Sequence, residues 1–215
     1  MLKYTFCHLP RVGAKKEQQF WDKGINSWQD LLEEALKGSN STLFSKSIDK
    51  LEESISRLQT GDAEYFGRLL PSAEHWRLLP HFKDEVAYLD IETTGMGRGL
   101  DHITSIALFD GYKVQTYVHG INLQDFASDI EAYKLIVTYN GKCFDVPFIE
   151  KQFGIALPKA HIDLRYVLKS LGYDGGLKGC ERSFELDREE LDGVDGYFAV
   201  LLVSLLVVGC GSNQA

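Results

Sequence analysis

Apolar positions recur in two registers along this chain, a helical one up to residue 60 and a strand-like one from Val86 onward. Gly13 to Trp21 reads as a first helix leading to Gly24. Ser27 with Asp30 forms a capping box ahead of Leu31, Leu32, Ala35 and Leu36, and Gly38 is placed to end that second helix. Phe44, Ile48, Leu51, Ile55 and Leu58 repeat at steps of four and three, which predicts the core stripe of a third. From Val86 the pattern changes to short runs of aromatic and β-branched residues divided by Gly and Asp. These predict strands near 86–91, 103–109 and 113–119, the last two joined at Asp110-Gly111, a hairpin signal. A helix around 122–132, a strand over Leu135–Tyr139, a helix over Val146–Phe153, a short strand near Ile162 and further helices follow. Three consecutive strands, then alternating helix and strand, predict an α/β architecture: a mixed sheet flanked by helices.

The length, 215 residues, and the hydrophobic content, 44%, suit one domain with a small appendage. The expected division is a helical appendage over 1–70, a linker over 71–83 and the sheet domain over 84–215. A net charge of -8 excludes a surface that grips nucleic acid by overall charge, so local charge has to decide. Cys7, Cys143, Cys180 and Cys210 form no CxxC pair and have no His at zinc-finger spacing, which points to a reducing cytoplasm. The start, MLKYTFCHLPRVG, turns polar too early for a secretory signal. The apolar run Tyr197–Val208 falls short of the roughly 20 residues that span a bilayer and reads as a buried helix, so no membrane association is expected.

The candidate chemistry lies in acidic residues at predicted strand ends. In YLDIETTG, Asp90 and Glu92 stand two apart, a spacing that puts both carboxylates on one face of a strand with Cα atoms roughly 6.5 to 7 Å apart. Burying two unpaired charges is costly, so these groups are either solvated at a strand end or matched by something cationic. In TYNGKCFDVPF, Asp145 follows a buried-looking strand and opens a helix with Pro147 in its first turn; a simple helix cap is the competing explanation. Carboxylate oxygens are the preferred ligands of Mg²⁺ or Mn²⁺, and a pair of such ions serves phosphodiester hydrolysis.

LDIETTG resembles the first motif of the DEDD-type 3′–5′ exonuclease superfamily, and YNGKCFDVPF resembles the second. The longer set, with DHITSIALFDG, HIDLR, GGLKGCE and DGYFAV, is similar to the YprB-like group of predicted exonucleases and covers about residues 76 to 200. The resemblance implies a ribonuclease H-like fold with a five-stranded mixed sheet, and Asp90, Glu92 and Asp145 as catalytic ligands of two Mg²⁺ or Mn²⁺ ions. It also implies a nucleic-acid partner, DNA or RNA, hydrolysed at a single-stranded 3′ end. The family's later motif, resembling Tyr-Asn-x-Glu-Asp, has no counterpart: no acidic residue follows Asp195, and the carboxyl end reads as truncated or frame-shifted against the pattern. Asp163 is the best substitute for a fourth carboxylate, with a structural hydrogen-bonding role as its alternative, and Asp195 reads as a helix cap. His161 is a candidate base, with a structural imidazole as its alternative.

Thr93, Thr94 and Asn140 are candidates for holding substrate, although turn chemistry explains such residues as well. HLPRVGAKKEQQFWDKGINSWQDLL resembles a helix-hairpin-helix element, with Arg11 where that motif has Gly; a helical hairpin that only packs on the sheet domain is the alternative. A catalytically impaired nucleic-acid-binding or scaffold module is the second functional expectation. A sugar-kinase-like phosphate loop is disfavoured, because Glu92 stands where such a loop needs Gly.

Overall fold

A computed structural model describes residues 1–37, 42–95, 101–158 and 160–185. The helix end expected at Gly38, the segment with Asp195, the apolar run Tyr197–Val208 and the expected truncation lie outside these residues.

Gly13 precedes α1 (Ala14–Trp21), and the expected capping box opens α2 (Trp28–Leu36). There the Asp30 N–H donates to Ser27 Oγ at 3.3 Å and the Ser27 N–H donates to Asp30 Oδ2 at 2.8 Å, satisfying donors that a first helical turn leaves unpaired. Along the predicted stripe, α3 (Thr42–Gln59) buries Leu51 and packs Ile55 and Leu58 on the same core. Asp62 caps α4 (Ala63–Leu69) by accepting the Tyr65 N–H at 2.9 Å. A 3-10 stretch, Ser72–Leu78, and the short α5 (Leu79–Phe82) lead into the sheet, with His75, Leu78, Leu79 and Phe82 buried.

The strands are β1 (Val86–Thr93), β2 (Ile103–Phe109), β3 (Val114–Val118), β4 (Leu135–Thr138) and β5 (Ala160–Asp163). They form one sheet in the order β3-β2-β1-β4-β5. The β3–β2 and β2–β1 pairs are antiparallel, while β1–β4 and β4–β5 are parallel, so the sheet is mixed as predicted. At the hairpin between β2 and β3, Asp110 Oδ1 accepts the N–H groups of Tyr112 and Lys113, both at 2.9 Å, and Gly111 takes a φ of 96°. Among the described residues, the α-helices of this half are α6 (Phe126–Asp129), α7 (Asp145–Phe153), α8 (Leu164–Ser170) and α9 (Gly176–Ser183).

The two-residue alternation of the strands sorts their side chains into two cores. Val86, Tyr88, Val137 and Ile162 join the core formed with the amino-terminal helices, the Ser72–Leu78 stretch and α8. Ala87, Leu89, Ile91 and Ile136 join the other, closed by Phe126 of α6 and by Phe148 and Ile149 of α7. Glu17 of α1, 1% exposed, ties the amino-terminal region to the rest. Its carboxylate accepts Thr5 Oγ1 and the Phe6 N–H at 2.6 Å each, and Arg77 Nη2 at 2.8 Å. A buried charge is tolerated when paired and hydrogen-bonded in this way.

Candidate metal and nucleic-acid site

The site follows from a mismatch in strand length. Pairing of β1 with β4 ends at Tyr88 with Val137, so the segment Asp90–Thr93 runs on past the end of β4. The stretch Tyr139–Phe144 turns there, and α7 begins at Asp145, beside the overhang. By alternation Asp90 and Glu92 share the face of Val86 and Tyr88; Asp90 is half-buried and Glu92 exposed. Their cross-strand partners on β2, Ala107 and Ser105, are small, which leaves the carboxylates uncrowded from that side.

Asp145 is the first residue of α7 rather than its cap; Phe144 holds the cap position, with no side-chain capping bond. The carboxyl of Asp145 is buried, 6% exposed, and pushed up to about 7 by burial first and by the charge of Asp90 second. Hydrogen bonds from its own N–H and from the Ile91 N–H pull in the opposite direction. The Ile91 amide lies between Asp90 and Glu92, so the two separated sequence stretches meet. Glu92 extends into solvent one residue further along β1. Among the described residues, no three His, Cys, Asp or Glu side chains are gathered into a ligand group. The donors at the meeting point are nonetheless hard carboxylate oxygens, buried on Asp145, half-buried on Asp90 and exposed on Glu92, a donor chemistry that suits Mg²⁺ or Mn²⁺. A bound cation would offset the repulsion that Asp145 now meets from Asp90.

The turn that aims Asp145 is pinned from β4 and β5. Thr138 Oγ1 accepts the Gly141 N–H at 3.1 Å, and the Gly141 carbonyl accepts the N–H groups of Phe144 at 3.3 Å and Val146 at 2.9 Å. Asn140 sits in the left-handed region at φ 65°, a conformation that Asn tolerates better than most residues. Asp163 is fully buried; Oδ1 accepts the N–H groups of Asn140 at 2.8 Å and Arg165 at 3.1 Å, and Oδ2 accepts that of Lys142 at 3.0 Å. Its carboxylate therefore caps α8 and holds the turn. His161 is buried with Nε2 2.8 Å from Thr138 Oγ1, and its ring is lowered to about 3 by burial and then by the nearby charges of Lys142 and His75. An imidazole in that position buttresses Thr138 and accepts a proton poorly.

Thr93 Oγ1 donates to the Gly95 carbonyl at 2.6 Å, and Thr94 Oγ1 accepts the His102 N–H at 3.0 Å, so both hydroxyls shape the loop after β1. Asn140 Oδ1 accepts Arg165 Nη1 at 2.6 Å. Sequence reasoning gave no role to Lys142, Arg165 or Tyr166, although the first two lie inside the quoted segments YNGKCFDVPF and HIDLR. Their positions depend on β4 and β5 being neighbours, which no local pattern states.

The RNase_H superfamily profile matches residues 87–204, more than half of the chain and the whole of the sheet except its first residue. The chain belongs to the ribonuclease H superfamily. No curated protein and no solved structure matches the chain. Members of this superfamily are usually nucleases or hydrolases acting on nucleic acid, generally with divalent metals, and the match supports that coarse class for this chain. None of the helices among the described residues is long and apolar enough to cross a membrane.

Proposed function

We propose that this protein is a metal-dependent 3′–5′ exonuclease of the DEDD type, nearest in its motifs to the YprB-like group, and that it hydrolyses terminal phosphodiester bonds of DNA or RNA. The observation that carries the reading is the meeting of Asp145 with β1 at the Ile91 amide, under the charge of Asp90. Asp90, Glu92 and Asp145 would hold two Mg²⁺ or Mn²⁺ ions, which when bound supply activation of water and neutralisation of charge on the leaving oxygen. Asp163 acts by fixing the turn before Asp145, and His161 acts by orienting Thr138. Thr93 and Thr94 shape the loop that would border the terminal nucleotide, and Asn140 would border the strand behind it. The amino-terminal region, with Lys3, Arg11, Lys15, Lys16 and Lys23 outnumbering Glu17 and Asp22, would add a helix-hairpin-helix-like contact to phosphates. The setting we infer is the cytoplasm, where thiols such as Cys7, Cys143 and Cys180 stay reduced.

The test is incubation of the full chain with 5′-labelled single-stranded DNA and RNA in Mg²⁺ or Mn²⁺. Shortening from the 3′ end one nucleotide at a time is expected, abolished by chelation. In D145N the rate should drop roughly a hundred-fold or more, as removal of a preorganised charge commonly does. Binding without cleavage by the unmodified chain would favour the second reading, a nucleic-acid-binding or scaffold module.

A further inference from the structure

The carboxylates account for one half of the sheet edge; the other half carries a different chemistry. At the carboxyl ends of β4 and β5, Lys142, Arg165 and Tyr166 come together. Arg165 is exposed and its guanidinium rests on Asn140 Oδ1 at 2.6 Å, which fixes its place while leaving further N–H donors for another partner. Tyr166, the next residue of α8, is 36% exposed, an aromatic side chain open to solvent. Lys142 is half-buried; its ammonium donates to Ser72 Oγ at 3.0 Å and lies 5.9 Å from the centre of the Tyr166 ring. The hydrogen bonds of the Asp163 carboxylate go to three backbone N–H groups, while its charge also acts on Lys142.

The placement gives the cluster a direction. Ser72–Leu78 and α8, which border it, pack on the face of the sheet that holds Val86 and Tyr88, and this is the face of Asp90 and Glu92. Strands of a sheet lie about 4.8 Å apart, so the end of β5 is on the order of 10 Å from β1 across the same edge. A nucleic-acid strand laid along that edge would pass from a basic, aromatic patch to an acidic one. In a chain of net charge -8, such a patch is what would offset the repulsion a polyanion meets on approach.

We propose that Arg165 and Tyr166 form a subsite for the nucleotide next to the terminal one, Arg165 on its phosphate and Tyr166 stacked on its unpaired base, with Lys142 supplying positive potential behind them. This inference rests on the reading of the carboxylate edge as a nuclease site and adds a requirement of its own: the base beside the reacting end must be unstacked from a complementary strand.

The experiment measures binding separately from cutting. Fluorescence anisotropy of a labelled single-stranded oligonucleotide is followed with the full chain in Ca²⁺, at several salt concentrations, for the unmodified protein, R165A, Y166A, Y166F and K83A. Lys83 is an exposed cation at the amino end of β1, away from the proposed path. R165A should weaken binding about ten-fold and flatten the log–log salt dependence by about one. Y166A should weaken it about five-fold or more with little change in salt dependence, while Y166F and K83A bind as the unmodified protein does. Unchanged binding in both R165A and Y166A overturns the subsite. If the unmodified chain still trims the strand and D145N does not, the nuclease reading survives that result. An unmodified chain that neither binds nor trims overturns both.

Discussion

Asp145 meets two opposing influences at one carboxyl group. Burial and the charge of Asp90 raise it to about 7, while two peptide N–H groups hold part of the charge in place. A raised acid binds its proton more tightly in the native state than in the unfolded chain, so the penalty is absent at low pH. It grows as pH rises from the usual value of 3.8 and is complete above about 7. D145N removes the ionisable group. In chelator-treated protein it should therefore be more stable than the unmodified chain at pH 8 by roughly 2 to 4 kcal/mol, and nearly equal at pH 4. Urea unfolding at the two pH values reads the difference, and equal stability at pH 8 would contradict the account. At this scale the sequence was informative about residue type and spacing: the Asp90 and Glu92 pair is legible from a strand period of two. The burial of Asp145 was not, because it depends on β4 ending short of β1. Arg11 shows the converse. Its φ of 62° keeps a turn that favours glycine, although the residue there is arginine.

Among the elements, the turn between β4 and α7 determines where the carboxyl of Asp145 lies. Gly141 is its tightest point: a Cβ there would stand 2.3 Å from Thr138 Oγ1 and 2.6 Å from Thr138 Cβ. Thr138 cannot move away freely, since its hydroxyl is also set against His161 Nε2. G141A should cost roughly 1 to 3 kcal/mol through overpacking. Because the turn aims Asp145, cleavage should fall by more than the stability loss explains at a temperature where the variant is still folded. Thermal unfolding and a cleavage assay on the same preparation check this, and a variant matching the unmodified chain in both would sink it. The elements themselves were largely readable. The capping box of α2 and the Asp110-Gly111 hairpin each rest on contacts within a few residues, and each appears where the pattern put it, while Leu51, Ile55 and Leu58 of the α3 stripe reach the core. Lys142, Arg165 and Tyr166 were given no role because their association is made by the parallel pairing of β4 with β5, a contact distant in sequence.

For the whole molecule, the sheet of a ribonuclease H superfamily member is joined to its amino-terminal helices through a shared core and one buried ion pair. Arg77 is 12% exposed at its side chain and Glu17 1%; Arg77 also pairs with Glu74 Oε2 at 2.6 Å, so it is loss of Arg77 that would leave the Glu17 carboxylate buried without its counter-charge. R77A should destabilise the protein by roughly 3 to 5 kcal/mol, a loss read as a lower denaturation midpoint. A change below about 1 kcal/mol, the usual worth of an exposed pair, would show that this anchor is dispensable.

The central claim is that carboxylates from two separated stretches hold a divalent cation together. Calorimetric titration of the full chain with Mn²⁺ tests it most directly, without reference to turnover. Saturable binding is predicted for the unmodified protein, weakened on the order of ten-fold or more in D90N and again in D145N, because carboxylate ligands dominate divalent affinity. Mn²⁺ binding in D145N indistinguishable from that of the unmodified chain would contradict the account.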